Sequence, residues 1–146
     1  MKNSDEKLED LLIFSINDVS EGQVFRTQFS VTDEDMAIFA VMSGDYNPIH
    51  INEEFAIKNG FEGEVVYGGL LLAKLSALIG MKLSGVNVLW LYTAIEFRKP
   101  VYVCKDVCLI AEVHSVSVAT ETFVLSVQFI MDEMIVAKGK AGVKVL

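Results

Sequence analysis

The chain changes texture once, near Gly85: short polar-capped segments with helical spacing precede it, and long β-branched and aromatic runs follow. Residues 23–30, led in by Gly22, have strand composition. Thr32 then stands as a helix N-cap, with Asp33, Glu34 and Asp35 set against the positive end of the helix. Met36, Phe39 and Ala40 give that helix an apolar stripe, and Gly44 terminates it after Ser43. Pro48 has no N–H and biases Asn47 toward extended geometry, so residues 45–50 are expected to form a loop. A brief helix is expected over 52–58, closed by Asn59-Gly60. Residues 69–79 are apolar around nearly the whole helical circumference, which predicts a helix buried on all sides.

After Gly85, strands are predicted over 86–97, 106–117, 121–131 and 134–145. With 23–30 they make five, and the short connections at 117–120 and 132–133 suit an antiparallel meander. The pattern is that of an α+β domain. In 86–97 both alternating faces are apolar, Leu89, Leu91 and Ile95 on one and Val88, Trp90, Tyr92 and Ala94 on the other. One face is expected to meet the helix, the other a second subunit or a substrate.

At 146 residues and 52% apolar content, the chain suits one domain with a sizeable core, expected over 14–146 behind a polar tail at 1–13. Twelve basic against 20 acidic residues, a net charge of −8, exclude a broad positive surface for nucleic acid or anionic lipid. Residues 1–11 lack the basic start and apolar run of a signal peptide, and the most apolar window, 65–81, falls short of a membrane span. A soluble cytoplasmic protein is expected. Cys104 and Cys108, four apart on a segment taken as extended, lie about 13 Å from each other, too far for a disulfide. Neither histidine stands at a metal-ligand spacing from them, so two reduced, partly buried thiols and no metal are expected.

Two histidines are the natural candidates for proton transfer near neutral pH. His114 shares a face with Ile110 and Glu112 on a predicted strand, opposite Leu109, Ala111 and Val113, and is expected to face solvent without a role. His50 instead ends the segment Asp45-Tyr46-Asn47-Pro48-Ile49-His50, in which the proline restricts the backbone and Asn47 can fix neighbouring groups by hydrogen bonding. Spacing alone leaves two readings open: an acid/base pair on one stiff turn, or a turn-capping Asp45 and a His50 that merely starts the next helix.

Ser43-Gly44-Asp45-Tyr46-Asn47-Pro48-Ile49-His50 resembles the D-x-N-P-x-H signature of the MaoC-like dehydratase family, which includes (R)-specific enoyl-CoA hydratases. Phe61-Glu62 leading to Val65-Val66-Tyr67-Gly68-Gly69-Leu70-Leu71 resembles the family's approach to its central helix, and Phe97-Arg98-Lys99-Pro100-Val101 its following strand-to-turn segment. The resemblance covers roughly residue 29 to the C-terminus. It implies a hot-dog fold: a five-stranded antiparallel sheet wrapped around one central helix, two subunits joining their sheets as a homodimer.

It also implies hydration of an enoyl thioester, or dehydration of its 3-hydroxyacyl form, with Asp45 and His50 gripping one water and supplying base and acid on the same face. Negative charge developing on the thioester oxygen needs donors fixed in advance. Gly68 and Gly69 stand where the buried helix begins and, lacking Cβ atoms, permit close approach to backbone N–H groups, which makes Gly68 the oxyanion-hole candidate. Asn47, Tyr67, Gly69 and Ser76 are the expected substrate-binding or supporting residues, Ser76 because it aligns with a family serine near the acyl site. No cofactor is implied beyond the pantetheine of the substrate's own coenzyme A or acyl carrier protein.

Three positions depart from the family pattern: Tyr67 stands where relatives often have His, Cys104-Lys105-Asp106 replaces a Gly-Asp turn, and Lys74 interrupts the apolar helix. Two other functions stay open. A hot-dog thioesterase commonly presents a carboxylate from the central helix, and residues 68–80 contain none. A non-catalytic acyl-thioester binder keeps the fold and pocket alone. Coenzyme A is favoured over an acidic carrier protein, which needs a larger basic patch than Arg98, Lys99 and Lys105 provide.

Overall fold

The structure, a computed structural model, describes residues 15–83 and 87–146, so the expected tail over 1–13 and the start of the strand expected at 86–97 lie outside the described residues. Behind a 3₁₀ turn at Ile16–Asp18, Gly22 takes a left-handed φ of 83° and leads into β1 (Val24–Phe29). Helix α1 (Asp33–Ser43) opens on a full capping box: Thr32 Oγ1 accepts from the Asp35 N–H at 3.1 Å, and Asp35 Oδ2 accepts from the Thr32 N–H at 3.0 Å. Gly44 closes it at φ 74°, a conformation that costs a side-chain-bearing residue about 1 kcal/mol or more. Two short helices follow, α2 (Pro48–Ile51) and α3 (Glu53–Lys58), and then α4 (Gly68–Ala77), which runs on into a π-helical turn at Leu78–Lys82.

The remaining chain forms β2 (Val88–Phe97), β3 (Val107–Ser117), β4 (Thr122–Met131) and β5 (Met134–Val145). All pairings are antiparallel, in the order β1-β3-β4-β5-β2. The expected meander therefore holds for β3, β4 and β5 only. Their tight connection at Asp132-Glu133 has positive φ at both residues, 49° and 62°, the hairpin geometry that matches strand twist. β1 and β2 arrive from before and after the helices and take the two edges of the sheet.

On β4 every second residue from Phe123 to Met131 is buried, and Val107, Leu109, Ala111 and Val113 of β3 continue that inner face. The sheet curls around Leu71, Leu75, Leu78 and Ile79, and complete burial of a side chain such as Leu75 contributes roughly 1.5–3 kcal/mol. The helix is not buried on all sides, however. Ala73, Ser76 and Ala77 are exposed, because one sheet covers one side of a helix and small residues hide the asymmetry in a hydropathy pattern. Lys74 is half-buried with its ammonium 5.7 Å from the centre of the Phe29 ring, so its charge meets an aromatic face instead of hydrocarbon.

The face assignment expected for β2 is corrected by a bulge. Trp90 opposes Val143 while Tyr92 opposes Gly142, so Leu91 is the extra residue and the alternation reverses beyond it. Trp90 Nε1 donates to the Tyr92 carbonyl at 2.9 Å across the bulge. Ile95 consequently joins Val88 and Trp90 on the core, and Leu89, Leu91 and Tyr92 are left exposed. Cys104 is also not on an extended segment: it sits in a turn at φ 61°, a backbone state more natural to glycine, with its N–H donating to the Val31 carbonyl at 2.8 Å. Both cysteines are free, Cys108 half-buried but Cys104 exposed, contrary to the expectation that both are partly buried.

Candidate active site

The loop expected over 45–50 ends at Asn47. Pro48 begins α2, because a first-turn residue needs no N–H partner and the ring presets the helical φ. Asn47 Oδ1 accepts from the Ile49 N–H at 3.2 Å, and the His50 N–H donates to the Asn47 carbonyl at 3.0 Å. Asn47 is thus a supporting residue that spends its side chain on the backbone carrying His50. The preceding turn is pinned in the same way: Ser43 Oγ donates to the Phe39 carbonyl at 2.6 Å and accepts from the Asp45 N–H at 3.1 Å. Asp45 Oδ1 accepts from the Asn47 N–H at 3.0 Å, and Oδ2 has no hydrogen bond among the described residues.

His50 Nδ1 lies 2.6 Å from the Val65 carbonyl oxygen. A carbonyl only accepts, so this bond puts the hydrogen on Nδ1 and the lone pair of the neutral ring on Nε2. Val65 is itself held, its N–H donating to the Ile49 carbonyl at 3.0 Å and its backbone forming an isolated antiparallel bridge with Tyr102. The imidazole stacks on Tyr67, ring centres 4.0 Å apart and planes 29° from parallel. Tyr67 is 2% exposed, rests on Phe39 at 4.7 Å, and donates its hydroxyl to the Asp45 carbonyl at 2.7 Å. Burial, followed by the charge of Asp45, pushes its phenol above the ordinary value of 10.0.

Gly68 is the first residue of α4, whose N-terminus has no side-chain cap and no acidic residue in its first turn. Its first-turn N–H groups lack a side-chain partner, and the positive end of the helix dipole lies there. His50, Val65, Gly68, Leu71, Phe97 and Arg98 line one cleft of about 520 Å³. The structure therefore brings His50 and Gly68 to one cavity; Asp45 does not line it and is joined to His50 through its backbone carbonyl, which the Tyr67 hydroxyl holds under the stacked imidazole. Gly69 packs against the Phe39 ring, away from Phe97. Ser76 does not join them: eight residues further along α4, about 12 Å by helical rise, it is exposed and does not line the cleft. His114 is exposed on β3, as expected.

Three contributors escaped the sequence. The Val65 carbonyl is backbone, which composition does not single out. Phe39 appears there only as core stripe. Phe97 lies within a segment already noted for its family resemblance, and it lines the cleft against Gly68. Beside this cleft a second one of about 390 Å³ gathers Asp33, Glu53, Glu62 and Glu64 with Tyr102 and Lys105. Burial, then the charges of Asp33 and Glu53, hold the Glu64 carboxyl above its ordinary value of 4.5.

A five-stranded antiparallel sheet wrapped around a helix, with His50 beside that helix's bare N-terminus, is the hot-dog architecture. Residues 16–133 match the MaoC like domain family, and the chain belongs to it. It is 30% identical over 93 residues to an (R)-specific enoyl-CoA hydratase of Rhodospirillum rubrum, covering 64% of this chain but 65% of that relative, just under two thirds of its length. It is 33% identical over 99 residues to an (R)-specific enoyl-CoA hydratase of Aeromonas caviae, covering 68% of this chain and 74% of that relative. The solved structure of an (R)-hydratase from A. caviae involved in PHA biosynthesis superposes with a TM-score of 0.84 at 28% identity, covering 88% of this chain and 98% of that one.

Proposed function

We propose that the protein is a hydro-lyase that adds water across the C2=C3 bond of a trans-2-enoyl thioester, and removes it from the (3R)-hydroxyacyl form, with Asp45 and His50 as its acid/base pair. The observation that carries this reading is the fixed His50: Nδ1 bonded to Val65 turns Nε2 into the free atom, beside the uncapped start of α4 at Gly68. The relatives' names supply the reaction class.

A water held between Asp45 Oδ2 and His50 Nε2 loses a proton to the pair as its oxygen bonds to C3. The C2=C3 electrons move toward the thioester, and charge on its oxygen is met by the Gly68 N–H at the helix N-terminus. The proton returns from the pair to C2 on the same face. The pair ends as it began, the addition is syn, and the product is the 3R alcohol.

Coenzyme A is the proposed carrier. Arg98 and Lys99 border the cleft, while the four carboxylates of the neighbouring cleft disfavour an acidic carrier protein on that side. A homodimer is proposed through β2, one of the two edge strands, which exposes Leu89, Leu91 and Tyr92, carries no proline and has Glu96 near its end as its one charge.

Crotonyl-CoA tests the reaction, with loss of enoyl-thioester absorbance followed beside free thiol, and product chirality resolved. The 3R alcohol without thiol release supports hydration. Thiol release without alcohol contradicts it in favour of a thioesterase, and silence on both with tight binding favours a non-catalytic acyl-thioester binder.

A further inference from the structure

Resting on that reading, we infer that Tyr67 is a positioning residue that locks Asp45 and His50 into one arrangement, its hydroxyl holding the backbone of the first and its ring bracing the imidazole of the second. Asp45 is exposed and lies on a turn, and His50 sits on a helix of four residues, too short to be rigid by itself. Neither element alone fixes the relation between the two side chains. Tyr67 touches both: its hydroxyl donates to the Asp45 carbonyl at 2.7 Å, and its ring stacks on His50 at 4.0 Å.

The remaining contacts make Tyr67 a rigid strut. It is 2% exposed, it sits at the N-cap of α4, and Phe39 of α1 supports it at 4.7 Å. Its carbonyl accepts from the Leu70 N–H at 3.0 Å, so its backbone is part of the helix start that presents Gly68. One residue thereby references the acid/base pair to the oxyanion donors. A core aromatic needs neither the hydroxyl bond nor the imidazole stack, and an aromatic face under His50 also favours the imidazolium that proton transfer creates.

The test uses Tyr67→Phe and Tyr67→Leu in the full chain. His50 and His114 are the only histidines, so the ring resonances of His50 are resolved by NMR against exposed His114 as internal reference. Tyr67→Phe keeps the stack: the His50 ring resonances should stay at their wild-type positions while kcat falls about tenfold and KM stays within about twofold. Tyr67→Leu loses both contacts: the ring-current shift of His50 disappears, and kcat falls about a hundredfold.

Wild-type kcat in Tyr67→Phe, or a wild-type His50 spectrum in Tyr67→Leu, overturns the inference. If the wild type hydrates nothing, the proposed function fails by itself, and the His50 resonances still decide whether Tyr67 braces the ring.

Discussion

The Phe97 ring lies flat against Gly68, its Cζ 2.9 Å from where a Cβ on residue 68 would stand. The helix start proposed to hold the thioester oxygen is therefore also the surface on which the cleft's far wall rests. Half-exposed Phe97 can give way, so Gly68→Ala should leave thermal stability within about 1 kcal/mol of wild type. An added methyl at the oxyanion site should instead lower kcat/KM for crotonyl-CoA about a hundredfold. Gly69→Ala should do the reverse first, since its Cβ would enter the Phe39 ring that supports Tyr67; a loss of about 1–3 kcal/mol in denaturant unfolding is expected. Equal stability and activity losses in the two variants would contradict this division.

Glu64 gives a pH-dependent stability. Its folded carboxyl holds a proton more tightly than the unfolded chain does, through burial first and then Asp33 and Glu53. Stability from this group is fully present below the ordinary value of 4.5 and is lost as pH rises through the raised folded value. Glu64→Gln should accordingly melt higher than wild type at neutral pH, the difference vanishing near pH 4. A difference that is absent at pH 7, or constant with pH, would count against the arrangement of this acidic cleft.

The free edge of β2 predicts assembly. Sedimentation of the wild type should give the mass of two chains of 16.1 kDa each, and Leu89→Lys combined with Leu91→Lys should shift it to one. A wild type that remains monomeric at micromolar concentration would place the subunit contact elsewhere or nowhere.

Much of this fold was legible because its signals are local. Thr32 and Asp35 cap α1 through atoms three residues apart, Gly44 ends it, and Asp132-Glu133 turn a hairpin between two runs of strand composition. What was not legible depends on contacts distant in sequence or on backbone detail. Leu91 bulges because of its pairing with β5, and nothing in an alternating apolar run marks which residue is extra. The helical turn at Pro48 was hidden by reading proline only as a breaker. The pair Asp45 and His50 stood out from motif and proline, yet the groups that fix it lie at Val65 and Tyr67, 15 and 22 residues from their partners. Which way α4 turns Ser76 depends on how the helix packs on the sheet, and it lies exposed.

The central claim is that Asp45 and His50 act together on one water. Its most direct measurement is the hydration of crotonyl-CoA by wild type, Asp45→Asn, His50→Ala and the double variant, each checked for native fold by circular dichroism. The account predicts a loss of about a thousandfold in kcat for each single variant, with the double variant little worse than either, because the two groups form one catalytic unit. Either single variant retaining hydration within about tenfold of wild type would contradict it.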